Sequence, residues 1–279
     1  MSLGRLLLFG LTAAVFLLAL LAFVSEPPPL WVPWSLGAVY LGVVVWGTLN
    51  LQLEMFGDAI CAVQGSGPQV ALTFDDGPDP VTTPLVLALL KKADVRATFF
   101  VVGKKVVQHP GVVKQIVEAG HSVGVHSYDH NRLYSFLPPD AVHRDIEMTR
   151  DVIEESTGQR PVWFRPPVGQ MSPRTAGGVK RAGSVVIGWS VRARDGARGA
   201  DPEKCLQRIR KGLSPGAIVL LHDAWEKSPS LQEDNEKNAL LTAPAGVQIL
   251  QRVLDACREK SLQPVTIEEL LISHPSEPA

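Results

Sequence analysis

Two patterns of hydrophobic and polar positions divide the chain. From Leu6 to Val24 the residues are apolar almost without interruption, and at about 1.5 Å of rise per residue a helix of that length just crosses a bilayer. After Ser25-Glu26-Pro27-Pro28-Pro29 comes a second apolar segment, Leu36 to Leu51, entered through Trp31 and Trp34 and containing Tyr40 and Trp46, aromatics of the kind that flank a span at the membrane interface. The pattern predicts a hydrophobic helical hairpin within residues 1–54, two transmembrane helices touching the lipid bilayer through residues 6–51. The alternative is one span followed by a helix lying in the interface. A cleaved signal peptide fits less well, because no small-x-small site followed by a polar sequence is present. Arg5 is the only basic residue near either segment. With two spans it leans towards a cytoplasmic domain, and with one it places the domain outside, so the membrane face is left open.

From Gln69 the pattern changes to short apolar runs alternating with amphipathic stretches. Val70 to Phe74, Val95 to Val102, His121 to Val125, Val162 to Phe164, Ser184 to Ser190 and Ala217 to Leu221 read as strands. Pro110 to Ala119, Pro138 to Ser156, Pro173 to Ala182, Pro202 to Lys211 and Ala245 to Lys260 read as helices, with a short Val265 to Leu271 closing the chain. Repeated strand and helix units of this kind predict an α/β domain over residues 55–279 built on a parallel sheet. The one long polar insertion, Glu226 to Asn238, follows a strand whose end carries a histidine and is a candidate lid or surface loop.

Size and charge narrow the function classes. A chain of 279 residues, 46% of them hydrophobic, can bury one large core after the amino-terminal segment. A net charge of -1 supplies no basic field for a nucleic-acid backbone, so no nucleic-acid partner is expected. Cys61, Cys205 and Cys257 are odd in number and far apart, which excludes a fully paired disulfide framework and any Cys-x-x-Cys metal site.

The candidate chemistry sits at strand ends. Val70 to Phe74 runs into Asp75-Asp76-Gly77-Pro78, two adjacent carboxylates whose repulsion needs a cation or a proton to offset it if both enter one pocket. His126 and His130, in His-Ser-Tyr-Asp-His, can converge on one cation from either a helical turn or a tight loop. Two imidazoles and one carboxylate make a three-ligand site with open positions, the catalytic rather than the structural design. Phe164-Arg165-Pro166-Pro167-Val168-Gly169 and Leu220-Leu221-His222 end two further strands, and the carboxyl ends of such strands are where barrels keep their active sites.

In this order, Thr73-Phe74-Asp75-Asp76-Gly77-Pro78, His126-Ser127-Tyr128-Asp129-His130, Arg165-Pro166-Pro167-Val168-Gly169 and Leu220-Leu221-His222 resemble the polysaccharide deacetylases, carbohydrate esterase family four with its NodB homology domain, over roughly Gln69 to Leu271. The resemblance implies a distorted (β/α) barrel and a divalent metal, usually Zn²⁺, serving removal of acetyl groups from N-acetylated sugars such as chitooligosaccharides or peptidoglycan glycans. It implies Asp76, His126 and His130 as metal ligands, Asp75 as the base that takes a proton from the attacking water, and His222 as the acid that protonates the departing amine. Arg165 would pair with the base, and Asp195 would orient Arg165. The backbone amide of Val168 would meet the oxyanion, and Leu220 would line the acetyl pocket.

Departures from that pattern are as informative as the matches. The family's fourth motif usually has two acids three apart followed by Trp, whereas Trp189-Ser190-Val191-Arg192-Ala193-Arg194-Asp195-Gly196 has Arg192 at the first acid and Gly196 at the Trp. Trp225, three residues after His222, is a candidate for the missing apolar wall. Arg192, Arg194 and Arg198 crowd this rim, either as a solvated basic loop or as a site for a phosphate-bearing substrate, since guanidinium forks fit phosphate oxygens. Two other functions stay in view: deacylation of a membrane lipid-linked sugar, and carbohydrate binding by a pseudoenzyme without turnover.

Overall fold

The computed structural model describes residues 1–24, 28–226 and 243–272. Apart from Glu226, the candidate lid lies outside the described residues.

Helices α1 (Leu3–Val24) and α2 (Trp31–Leu49) are long and apolar enough to cross a membrane by length and composition, and almost none of their surface is covered by the rest of the protein. Trp31 and Trp34 lie inside α2 rather than ahead of it, so the second helix starts five residues earlier than the apolar run alone indicates. Both free ends of the hairpin meet the folded domain. Ser2 Oγ donates to the Glu54 carbonyl and Arg5 Nη2 pairs with Asp58 Oδ1 at 2.6 Å. Gly4 packs against the Leu53 carbonyl and Gly47 against Met55, each so closely that a Cβ would collide. Just past α2, Gln52 Nε2 donates to the Trp189 carbonyl.

The domain is built on parallel strands. In sheet order these are β5 (Val185–Val186), β4 (Trp163–Phe164), β3 (Ser122–Val125), β2 (Thr98–Val101), β1 (Gln69–Asp75), β7 (Ile218–His222) and β6 (Val191–Arg192), with β8 (Gln263–Val265) paired to the start of β1. Strand β1 is central and buried from Val70 to Asp75, which is why it reads as an apolar run without alternation. Helices α3 (Thr82–Ala93), α4 (Gly103–Gln108), α5 (Pro110–Glu118), α6 (Pro139–Thr157), α7 (Pro173–Arg181), α8 (Pro202–Gly212), α9 (Ala245–Glu259) and α10 (Ile267–Ile272) connect the strands. Their apolar stripes, among them Val142, Ile146 and Ile153 of α6, close over the sheet.

Of the expected strand Ser184 to Ser190 only Val185–Val186 is strand, and the next strand begins just beyond it, on the opposite edge of the sheet. Val185 and Val186 pair with β4, and five residues after Val186 the chain pairs Val191 and Arg192 with β7. An extended chain gains at most about 3.6 Å per residue, so those edges lie within one short extended run of each other and the sheet is curled into a half-barrel. Amides of this run stitch the gap: Ile187 N donates to Phe164 O, Gly188 N to Ile60 O and Ser190 N to Ile218 O. The structure thus carries the expected α/β architecture of a distorted barrel behind an apolar helical hairpin.

Candidate metal-dependent hydrolase site

Register across β1 decides which strand ends meet. Asp75 stands opposite His222 of β7 and Phe100 of β2, while Val125 opposite Phe164 sets His126 beside Arg165 one residue further on. Asp75, His126, Arg165 and His222 thus lie at the carboxyl ends of parallel strands, beside a pocket of about 480 Å³. Asp75, Asp76, His126, His130, Val168, Leu220 and His222 line it, as do Trp189, Arg192, Arg194 and Glu226.

Asp76 Oδ1 lies 3.2 Å from His130 Nε2 and 3.5 Å from His126 Nε2. This oxygen is buried and makes no hydrogen bond of regular geometry. Burial works to raise the Asp76 carboxyl, yet His126, His222 and His130 hold it below the usual carboxylate range. An orphaned, ionised oxygen facing two imidazole nitrogens is a donor set for a divalent cation, and the ligand atoms of the three residues lie within 4.8 Å of one another. The residues present therefore fit a metal of the zinc type.

The imidazoles are aimed by their other nitrogens. His126 Nδ1 lies 2.8 Å from the Arg165 carbonyl, which fixes the tautomer that leaves Nε2 free. His130 Nδ1 faces Glu226 Oε1 at 3.7 Å, and Glu226 is in turn gripped by Arg132, its Nε 3.0 Å from both carboxylate oxygens. The loop between them turns back on itself with Ser127 and His130 in left-handed backbone conformations. It is pinned by Asp145 of α6, which accepts from the Tyr128 amide and the Tyr134 hydroxyl. Glu226 and Asp145 are functional neighbours that the sequence reading passed over. Glu226 could have been flagged as an acid four residues after His222, but nothing local marks Asp145 among the polar positions of an amphipathic helix.

Arg165 is wholly buried. Its Nη1 donates to Asp75 Oδ1 at 2.7 Å and to Thr73 Oγ1 at 2.8 Å, Nε to the Ile187 carbonyl and Nη2 to the Gly188 carbonyl, with the guanidinium 4.1 Å from the Phe100 ring centre. The expected orientation of Arg165 by Asp195 is not what the structure has. Asp195 is committed to His222, accepting from its backbone amide at 2.8 Å and lying 3.0 Å from Nδ1. Two carbonyls of the barrel-closing run and Thr73 orient Arg165 instead, because that run brings Ile187 and Gly188 beside it while Asp195 has already passed to the far edge.

Burial works to lower the His222 imidazole, but Asp195, then Asp76 and Asp75, raise it to about 9. It is thus an imidazolium at neutral pH with Nε2 facing the pocket. Because the folded value is above the ordinary 6.5, this group stabilises the fold fully below about 6.5, and the contribution is lost as pH rises through about 9. A cation bound at Asp76 adds positive charge beside the ring, so the alkaline limb of the loaded protein falls at or below that value. Asp195→Asn is expected to move the limb further towards acid, by about one pH unit or more, read from kcat/KM against pH.

Three remaining positions differ in how they meet expectation. Val168 sits in a left-handed backbone conformation, and its amide donates to no carbonyl among the described residues, so the N–H is free to face the pocket. Leu220 is buried in the pocket floor opposite Arg192. Trp225, proposed as the apolar wall, is not among the lining residues; its carbonyl accepts from Lys105. Trp189 lines the pocket instead. At Gly196 the space is taken by the His222 ring, since a Cβ there would lie 2.8 Å from it. Gly196→Ala is expected to displace the imidazole and lower kcat about tenfold, with the thermal midpoint changed by only a few degrees.

A polysaccharide deacetylase family model matches residues 62–187. A peptidoglycan-N-acetylglucosamine deacetylase of Bacillus cereus is 31% identical over 230 residues, covering 80% of this chain and 97% of that one. The chain belongs to the polysaccharide deacetylase family. Peptidoglycan-N-acetylglucosamine deacetylase PgdA of Listeria monocytogenes is 40% identical over 155 residues, 56% of this chain but 32% of the longer Listeria protein, so this chain spans about a third of that relative. Among solved structures, a CE4 family pseudoenzyme from Bacillus anthracis superposes with a TM-score of 0.65 at 29% identity, covering 78% of this chain and 71% of that one. Membership in this deacetylase family therefore accommodates members without turnover, and the residues at the site are what bear on activity.

Proposed function

We propose that the chain is a metal-dependent hydrolase that removes the acetyl group from an N-acetylated sugar, held at a membrane by its amino-terminal hairpin. The observation that carries this reading is the orphaned Asp76 Oδ1 facing His126 and His130, with Asp75 and His222 at hand in the same pocket. A divalent ion held by Asp76, His126 and His130, most simply Zn²⁺, would polarise the acetyl carbonyl and acidify a water.

The chain's own groups supply the remaining chemistry. Asp75, steadied by Arg165, accepts the proton of the attacking water. The Val168 amide donates to the oxygen that gains charge as the carbonyl becomes tetrahedral, a contribution of about 3 kcal/mol in comparable sites. Leu220 packs against the methyl group of the acetyl. His222 delivers its Nε2 proton to the amine nitrogen, without which that leaving group is too basic to depart. Asp195 supports the imidazolium until the transfer.

Asp75, Asp76, His126, His130 and His222 are all present in the pocket, which favours turnover over binding alone. The full chain in detergent micelles should release acetate from an N-acetylglucosamine oligomer, lose that activity on chelation and regain it with zinc. A zinc-loaded chain that binds the oligomer yet releases no acetate would establish the pseudoenzyme reading instead. The hairpin ends, Ser2 and Arg5 on one side and Gln52 on the other, dock on the same domain, which supports two spans with both ends on one membrane face.

A further inference from the structure

We propose that Arg192 and Arg194 form an anion subsite on the pocket wall, so that the acetamido sugar taken there carries a phosphate. The inference rests on the reading of the pocket as a deacetylase site and names its substrate class.

Pairing the charges that line the pocket leaves a remainder of one sign. Asp75 is held by Arg165, Glu226 by Arg132, and Asp195 by His222, while Asp76 faces the two imidazoles. Arg192 and Arg194 line the same pocket, and among the described residues neither has a carboxylate within ion-pair distance. Arg192 ends β6 and Arg194 follows two residues later in a left-handed backbone conformation, with Val191, Ala193 and Asp195 buried between and around them and both arginines on the pocket wall. Arg192 is held over the Trp189 ring, 5.7 Å from its centre, and stands in register with Leu220. Partial burial and the neighbouring Arg194 depress the Arg192 guanidinium below its ordinary range. Two like charges kept side by side with no ion-paired carboxylate among the described residues are unfavourable until an anion arrives, and two guanidinium forks match the oxygens of a phosphate or diphosphate. Trp189 also accepts a hydrogen bond from Gln52, three residues beyond the end of α2, which places this wall next to the hairpin. A phosphate could reach it from a free sugar phosphate or from a lipid-linked one.

The test titrates the zinc-loaded full chain in micelles with N-acetylglucosamine 1-phosphate and with the neutral methyl glycoside of the same sugar, by calorimetry, alongside Arg192→Gln/Arg194→Gln. The wild type should bind the phosphate probe at least about tenfold more tightly than the neutral one, and the double variant should lose most of that ratio. Any phosphate–metal contact is common to both proteins and cancels. Arg192→Lys/Arg194→Lys, which keeps charge but not the fork, should recover part of the ratio. An equal ratio in wild type and double variant overturns the inference; if acetate is still released from both probes, the hydrolase reading stands without it. A preserved preference without acetate release sinks the hydrolase and keeps the subsite. Reconstitution in vesicles with a polyprenyl-phosphate-linked form of the sugar then separates the sources: faster turnover than with the soluble sugar phosphate assigns the lipid, and the reverse assigns the free compound.

Discussion

Asp76→Ala is expected to abolish acetate release, by more than about 10⁴-fold in kcat/KM, and to do so without unfolding the chain. The carboxylate supplies the only oxygen of the proposed ligand set, and its Oδ1 sits between His130 Nε2 and His126 Nε2. With that oxygen gone, two imidazoles must hold the ion alone. His126 is itself tuned for charge: burial works to lower its imidazole, but Asp75 and Asp76 raise it overall. A proton and a divalent cation therefore compete for the same place, and metal binding should weaken as pH falls through this raised value. The measurement is a pair of thermal melts with and without zinc. A ligand that binds only the folded state at a hundred times its Kd adds about 2.7 kcal/mol, a shift of roughly 5–10 °C for a domain of this size. The wild type should show this shift and Asp76→Ala should not. An undiminished shift in the variant would mean that the ion sits elsewhere.

Arg165→Met should cost about 3–5 kcal/mol of stability as well as most of the activity. The side chain is fully buried and serves four acceptors, Asp75, Thr73 and the carbonyls of Ile187 and Gly188. A methionine of similar length fills the volume but leaves Asp75 as a buried, uncompensated carboxylate and two carbonyls of the barrel-closing run without donors. Because that run joins the two sheet edges, the loss is felt by the closure itself. Against a total stability of about 5–15 kcal/mol the change is large, and urea denaturation should place the midpoint well below that of the wild type. Arg165→Met/Asp75→Asn removes the stranded charge along with its partner. It should be more stable than Arg165→Met alone; if it is equally unstable, the cost lies in the carbonyls and packing and not in the buried charge.

Asp195 shows the limit of reading partners from a motif. The family resemblance implies that Asp195 orients Arg165, and nothing in the surrounding residues points to His222 as its partner. The structure gives it to His222 because β6 and β7 are neighbours, Val191 against Val219 and Arg192 against Leu220, so the chain beyond β6 arrives beside His222. Nearness in sequence to His222 makes Trp225 the candidate for the missing aromatic wall, but Trp225 does not line the pocket. The ring that lines the pocket, Trp189, arrives on the run that crosses from β5 to β6 between the two edges of the sheet.

The sequence by itself determined the apolar hairpin, the alternation of buried strands and amphipathic helices, and the strand ends bearing Asp75, Asp76, His126, His130, Arg165 and His222. These are local properties: length of an apolar run, periodicity, and the abrupt stop imposed by glycine and proline, all set by neighbouring residues and the cost of exposing apolar surface. Only the tertiary structure decided that Asp195 serves His222, that carbonyls of Ile187 and Gly188 hold Arg165, that Glu226 and Asp145 set the histidine loop, and that Gly196 leaves the space which the His222 ring needs. Those pairings join segments from about ten to nearly a hundred residues apart, and they follow from the register of parallel strands and the point at which the sheet closes, neither of which any stretch of the chain encodes alone.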